Sequence, residues 1–160
     1  MNRVSTLFLK IAVILIGLPV LALCIFLVPE IATFAVELFP NIPFLNVLVF
    51  IYMYVTAIPF YVALYQALKL LSYIDKNKAF SELSVMTLKK IKYCAMTISS
   101  LYVVGMPFFY FMAELDDAPG IIVIGLVIIF ASMVIAVFAA VLQRLLKNAI
   151  DIKSENDLTV

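Results

Sequence analysis

Three carboxylates stand close together in the second half of the chain, at Glu114, Asp116 and Asp117. Oxygen ligands of this kind can collect a divalent cation, although they bind it weakly unless the loop that carries them is ordered. They could also attract a basic peptide. The competing interpretation is that these acids stay solvated and help to orient the chain. We favour that simpler interpretation and keep the trio as a candidate outer acidic site.

Other groups that could carry chemistry are sparse. The chain has no histidine, which removes the commonest general base and the commonest metal ligand. Its two cysteines, Cys24 and Cys94, lack metal-ligand spacing, and the pair Ser99-Ser100 has no histidine to activate it. No H-E-x-x-H, Walker loop or G-x-S-x-G motif is present. A pairing of a serine with Lys89 or Lys92 is conceivable but has no supporting motif. We therefore expect no catalytic residue, no cofactor and no metal site, and we do not expect an enzyme.

Composition indicates where such a chain resides. Of its 160 residues, 66% are hydrophobic and 13% are charged, whereas a typical soluble domain has about 45–50% and about 25%. One small soluble core cannot hide that excess, so the bilayer must take it. Four uncharged runs are each long enough for a spanning helix. They cover residues 11–28, 44–68, 93–113 and 119–143.

The charges predict which side of the membrane each loop faces. All eleven basic residues fall before the first span, in the inner loop 69–92 or in the inner tail 144–160. Short loops rich in Lys and Arg stay in the cytoplasm, so both termini should be cytoplasmic. A cleaved signal peptide would leave three spans and would conflict with this split. The five charges left outside are all acidic, namely Glu30, Glu37, Glu114, Asp116 and Asp117.

The predicted fold class is all-α. We expect a single domain over residues 1–160, an integral four-helix bundle in the cell membrane, N-in and C-in, with cytoplasmic extensions of helices two, three and four. Asp75 to Lys78 is typical of a turn, and Ser81 is the expected N-cap of the third helix. Cys24 and Cys94 should lie near opposite faces and stay unpaired.

Two further details of the helices are predicted from local patterns. Pro29 should end the first span, and the apolar stripe that follows it should form a short interfacial helix in the outer loop up to Asn41. In the fourth span, Ser132, Ala136 and Ala140 repeat every four residues. Such a seam of small residues lets two membrane helices approach closely.

A basic patch follows the turn of the inner loop, at Lys89, Lys90 and Lys92. Anionic lipid headgroups would explain it, at about 1 kcal/mol per basic side chain near the surface. A bound protein is the sharper alternative. The chain also ends on Leu158-Thr159-Val160, which resembles ligands that add a strand to a binding pocket.

Two stretches of the chain carry a family resemblance. The first is Leu70-Leu71-x-x-Ile74-Asp75-x-x-Lys78-x-Phe80-Ser81 with the following Leu88-Lys89-x-Ile91. The second is the ending Ala149-x-x-x-x-x-Glu155-Asn156-Asp157-Leu158-Thr159-Val160. Both resemble the YoaS-like family of bacterial membrane proteins, a four-span domain of unknown function. Its genes commonly stand beside a small helix-turn-helix regulator of the Cro/repressor type. The resemblance therefore implies a membrane partner for a transcription factor.

The leading hypothesis is a non-enzymatic membrane sensor or a sequestering partner of such a regulator. Its docking surface would combine the inner loop with the tail, through Asp75, Phe80, Ser81, Lys89, Lys90, Lys92, Asp157, Leu158, Thr159 and Val160. The lipid bilayer is the first expected partner, no direct contact with nucleic acid is expected, and a homo-oligomer is left open.

Two alternatives remain. One is a small transporter or channel subunit whose path is lined by Tyr52, Thr56, Tyr61 and Gln66. The absence of acids and bases within the spans argues against ion-coupled transport, but a path of neutral polar groups would remain. The other alternative is a purely structural protein or an immunity-type protein that protects the membrane from a peptide.

Overall fold

A computed structural model describes residues 3–158, which form four long helices and no strand. Each helix is long and apolar enough to cross a membrane, so the all-α, four-span prediction is confirmed. The helices also extend beyond the predicted spans, whose limits stay predictions. The helices are α1 (Arg3–Leu38), α2 (Leu45–Asp75), α3 (Glu82–Leu115) and α4 (Gly120–Leu158).

Short connections make consecutive helices antiparallel. The α2–α3 turn and the ends of the described chain therefore lie at one end of the molecule, which we call the basic end. The α1–α2 and α3–α4 connections lie at the other end, which we call the acidic end because its charges are acidic.

The helices pack in chain order, α1 on α2, α2 on α3 and α3 on α4. Within residues 3–158, no Cα of α4 comes within 8 Å of one in α1 or α2. The bundle is therefore open along one side. The buried residues of α4 are Gly125, Ser132, Ala136 and Ala139, and they face α3, which is the helix that α4 contacts. The predicted small-residue seam is confirmed at Ser132 and Ala136, whereas Ala140 is only half-buried.

The first helix corrects one expectation. The prediction of a separate short helix after Pro29 was wrong, because α1 continues as one helix through Pro19 and Pro29 to Leu38. A proline inside a membrane helix is tolerated when neighbouring groups satisfy the backbone. The Thr33 hydroxyl adds a bond within the helix, since it donates to the Pro29 carbonyl at 3.0 Å. The segment also packs on protein, since Ala35 is fully buried in a cluster with Leu45 of α2.

Left-handed residues end α2 and α3. Asn77 has φ 58°, and Lys78 N–H donates back to the Tyr73 carbonyl at 2.7 Å. Asp117 has φ 51°, and Ala118 N–H donates to the Ala113 carbonyl at 2.9 Å. Both are Schellman-type ends, in which asparagine and aspartate tolerate the left-handed region. The predicted turn after Asp75 is confirmed.

Tyrosine hydroxyls join neighbouring helices along the bundle. Tyr54 and Tyr61 of α2 donate to carbonyls of α1, at Cys24 and Gly17, over 3.0 and 2.9 Å. Tyr52 donates across to the Leu101 carbonyl of α3 over 2.8 Å. Such bonds satisfy polar groups at depths where no water is available. Both cysteines are free thiols, as predicted.

Candidate functional site

An ion pair at the basic end joins the first two helices. Lys10 Nζ of α1 lies 2.8 Å from Asp75 Oδ2, at the last residue of α2. The hydrogen bond from Lys10 lowers the pKa of the Asp75 carboxyl, and a hydrogen bond with Thr6 contributes in the same direction. Asp75 was predicted as a docking residue. In the structure, its carboxylate is engaged by Lys10 of the same chain.

The α2–α3 turn presents one large apolar side chain. Phe80 is 60% exposed. Ser81 is the N-cap residue of α3, as predicted, but its hydroxyl makes no capping bond. It donates instead to the Lys78 carbonyl at 2.6 Å, which also accepts from the buried Ser84 hydroxyl at 3.1 Å. Two serine hydroxyls therefore fix the turn, and Phe80 projects from a defined backbone.

The basic patch surrounds an aromatic ring on α3. Lys89 and Lys92 place their ammonium groups 5.9 and 4.9 Å from the centroid of the Tyr93 ring. Lys90 is exposed. Cations stacked on a tyrosine near the end of a membrane helix are typical of the level of lipid headgroups. The patch can thus meet a headgroup or an anionic surface of a protein.

The tail of α4 projects past the start of α3. A side chain at Gly125 would lie 2.8 Å from Met106 Sδ, so these two residues are at one level. Glu82, the first residue of α3, lies 24 residues before Met106. On the antiparallel helix α4, the same level is reached 24 residues after Gly125, at residue 149. The helix then continues to Leu158, roughly 13 Å further at the usual rise. Residues 151–158 are all exposed.

The predicted tail motif is only partly covered by the structure. Asp157 and Leu158 form the exposed end of α4, whereas Thr159 and Val160 lie outside the described residues. The described part of the motif is helical, and a strand-adding ligand would have to be extended. The two parts of the predicted docking surface, the α2–α3 turn and the tail, share the basic end.

The residues of the proposed transport path have been placed as well. The hydroxyls of Tyr52 and Tyr61 are used in the helix-to-helix bonds described above, and the Thr56 hydroxyl donates to the Met53 carbonyl of its own helix at 2.8 Å. Gln66 is buried, and its side-chain oxygen has no hydrogen-bond partner within the described chain. Transport remains an untested alternative.

At the acidic end, the predicted trio is divided between two roles. The Tyr110 hydroxyl donates to Glu114 Oε1 at 2.6 Å, whereas Asp116 and Asp117 form the end of α3. Within residues 3–158, no three His, Cys, Asp or Glu side chains come together in a set that could hold a metal ion. Whether the trio attracts a basic partner stays a prediction.

Sequence reasoning missed a cavity in the acidic half of the molecule. Its volume is about 480 Å³, and all four helices line it. The lining is apolar and aromatic, consisting of Ile31, Phe34, Leu45, Leu48, Val49, Tyr52, Met53, Tyr102, Gly105, Phe108, Phe109, Met112, Ile121, Ile124, Gly125 and Ile128. The run Pro107 to Phe111 with its adjacent aromatics could have signalled it, but such a run also fits an aromatic belt.

These four helices, with their apolar outer surface, define a multi-pass, all-helical membrane protein. The chain belongs to the family described as "Protein of unknown function (DUF2975)", whose model matches residues 30–160. It is similar to the "Uncharacterized membrane protein YoaS" of Bacillus subtilis (strain 168), with 79% identity over 160 residues that cover 100% of both chains. The predicted family resemblance is confirmed. No solved structure matches the chain.

Proposed function

We propose that the protein is a non-enzymatic membrane sensor or sequestering partner of a small helix-turn-helix transcription regulator, and that the regulator docks on the basic end in the cytoplasm. The observation that carries the proposal is the tail of α4, whose residues 151–158 project past α3 and are all exposed. A helix that extends beyond its packing partners offers a surface to another protein.

Apolar side chains at this end support the proposal. Phe80, Ile152 and Leu158 are 60%, 65% and 83% exposed, and they lie beyond the predicted spans, where water rather than lipid would surround them. Each of them offers a partner an apolar contact outside the predicted spans. At the same end, Lys90 and the stacked lysines around Tyr93 add positive charge, which would steer an acidic partner surface.

The experiment is a tagged purification from native membranes in mild detergent, followed by mass spectrometry. We expect a small helix-turn-helix protein to copurify with the wild type. Its recovery should fall at least severalfold for Phe80→Ala and for a chain lacking residues 157–160. Loss of one exposed aromatic anchor can cost about 2 kcal/mol, which is more than tenfold in affinity.

The matched control is Phe44→Ala. Phe44 is likewise an exposed phenylalanine in a connection between helices, but at the acidic end. It should leave the recovery of the regulator unchanged. Equal recovery from all variants, or no reproducible helix-turn-helix companion of the wild type, would contradict the proposal.

Sidedness needs its own measurement, because the proposal requires the basic end to be cytoplasmic. With Cys24 and Cys94 replaced by alanine, a single cysteine is introduced at Lys76 or at Asp116, in turns at opposite ends. A membrane-impermeant maleimide should label Asp116→Cys in intact cells and Lys76→Cys only after the membrane is opened. The reverse pattern would place the docking surface outside the cell and would rule out a cytoplasmic regulator.

A further inference from the structure

The cavity in the acidic half is a ready-made space for an apolar group. Its volume of about 480 Å³ falls within the range of about 300–1,000 Å³ that is usual for ligand sites. All four helices line it, yet within the described chain α4 does not approach α1 or α2 to within 8 Å between Cα atoms. The open side of the bundle therefore gives a ligand in the bilayer a lateral route to the space.

The lining accepts an apolar chain and little else. Of its two polar side chains, Tyr52 donates its hydroxyl proton to the Leu101 carbonyl, and the Tyr102 hydroxyl lies 3.5 Å from that of Thr56. Both hydroxyls are thus engaged by the protein. A polar group placed in the space would lose its hydrogen bonds to water with little in return, so only the tail of a ligand belongs there.

The edge of the cavity carries negative charge. Phe34 of α1 lines both the cavity and a shallow pocket of about 330 Å³, which Glu30 and Glu37 flank on the same helix. Among residues 3–158, neither carboxylate has an ion-pair partner. The Phe34 side chain therefore borders both the apolar cavity and the surface that carries the two carboxylates.

The depth of Glu30 makes the lack of an ion pair with the described residues significant. The Tyr54 hydroxyl bonds to the Cys24 carbonyl, so these residues are level on antiparallel helices. Glu30 lies six residues after Cys24 on α1, so on the antiparallel α2 it is level with the residue six positions before Tyr54. That residue is Leu48, in the first turn of α2. Residue 48 also lies within the second predicted span. A charge at the edge of the hydrocarbon region is costly unless it is paired.

We propose that the cavity and the two carboxylates form one binding site for a single-chain cationic amphiphile. Its apolar tail occupies the cavity, and its cationic head lies between Glu30 and Glu37, across Phe34. The apolar tail then contacts the apolar lining of the cavity, and the cationic head contacts the neighbouring carboxylates. The inference concerns a ligand site and does not depend on the regulator.

The test uses the full chain in phosphatidylcholine nanodiscs and a dodecyl trimethylammonium probe with a photoreactive diazirine at the end of its tail. Cross-links should map to cavity residues such as Met53, Phe109 and Met112. Unlabelled dodecyl trimethylammonium should compete, whereas dodecyl phosphocholine and dodecyl sulfate, which have the same tail, should compete much less. Equal competition by all three would show that any acyl chain fills the space and would overturn the cationic head.

Matched variants separate the tail from the head. Ile128→Trp places a larger side chain in the cavity and should abolish the cross-links, while Ile129→Trp, the next residue on α4 and likewise half-buried but outside the lining, should keep them. Glu30→Gln and Glu37→Gln should each weaken competition by about fivefold. Asp117→Asn removes an acid that lines neither pocket and should have no such effect. Circular dichroism checks that each variant keeps its helices.

Two results would overturn the proposal. The same cross-links in Ile128→Trp and Ile129→Trp would show that the probe is not held in the cavity. Displacement by a cationic amphipathic peptide, without displacement by dodecyl trimethylammonium, would show that the site takes a peptide instead of a single-chain amphiphile.

Discussion

At the basic end, Lys10 and Asp75 join α1 to α2 through an ion pair, and serine hydroxyls fix the α2–α3 turn. At the acidic end, Glu30 and Glu37 have no ion-pair partner within residues 3–158, and the helices line an apolar cavity that is open on one side. One end is thus tied by polar contacts, whereas the other holds unfilled apolar space beside unpaired charge. The difference indicates separate roles for the two ends: polar contacts hold the helices together at the basic end, whereas the acidic end has space for a ligand.

The largest expected effect tests how the cavity wall is built. A Cβ at Gly105 would collide with the hydroxyl of Tyr52, and would lie 2.9 Å from its ring carbon Cζ. Gly105→Ala should therefore displace the ring and break its bond to Leu101. We expect a loss of about 1–3 kcal/mol in the free energy of unfolding, measured by denaturation in detergent.

The control for that substitution is Gly120→Ala, because nothing lies within 4 Å of a Cβ at Gly120. It should leave stability nearly unchanged. If Gly105→Ala were as stable as this control, the Tyr52 side chain of α2 would not pack against Gly105 of α3 as closely as described.

A smaller and pH-dependent effect tests the basic end. Lys10 lowers the pKa of Asp75, so the pair stabilises the fold at pH values above the unfolded pKa of about 3.9. That stability is lost as the pH falls through the lower folded pKa. Lys10→Met should therefore reduce the Tm at neutral pH, and the difference from the wild type should close in acid.

Thermal denaturation from neutral pH down to about pH 3 follows this closing difference. Lys153→Met is the control, because Lys153 is exposed and has no ion pair within the described chain. Its Tm should parallel that of the wild type at every pH. A Tm difference for Lys10→Met that persists unchanged into acid would mean that the ion pair is not its source.

The smallest effect is expected at Gln66, where the side-chain oxygen is buried without a partner. Replacing an unsatisfied polar group by an apolar one of similar shape is near neutral or stabilising. Gln66→Met should therefore change the free energy of unfolding by less than about 1 kcal/mol, in the stabilising direction. Chemical denaturation in detergent measures it, with the half-buried Gln143→Met for comparison.

A large loss of stability in Gln66→Met would mean that the oxygen is engaged in the folded protein. Retained stability with a loss of solute flux in liposomes would instead favour the transport alternative. Gln66 lies in the half of α2 nearer the basic end. Either result would therefore add a functional polar group to the end that is described above only by its structural contacts.

The sequence alone determined the number of helices, the segregation of charge, the turn at Asn77 and the N-cap at Ser81. These features depend on local composition and on the conformations that single residues tolerate. Most of the predicted docking residues also lie at one end for this reason, since an even number of antiparallel helices returns the chain to its starting side.

Only the tertiary structure decided that α1 passes through Pro29, that Lys10 meets Asp75, and that Phe34 joins a cavity to two carboxylates. Each depends on which face of one helix meets which level of the next. The sequence of a helix that is apolar all round does not show which side faces its neighbours. In a membrane, close packing rather than burial of apolar surface determines how such helices associate. Register and open space therefore emerge only when the helices are assembled.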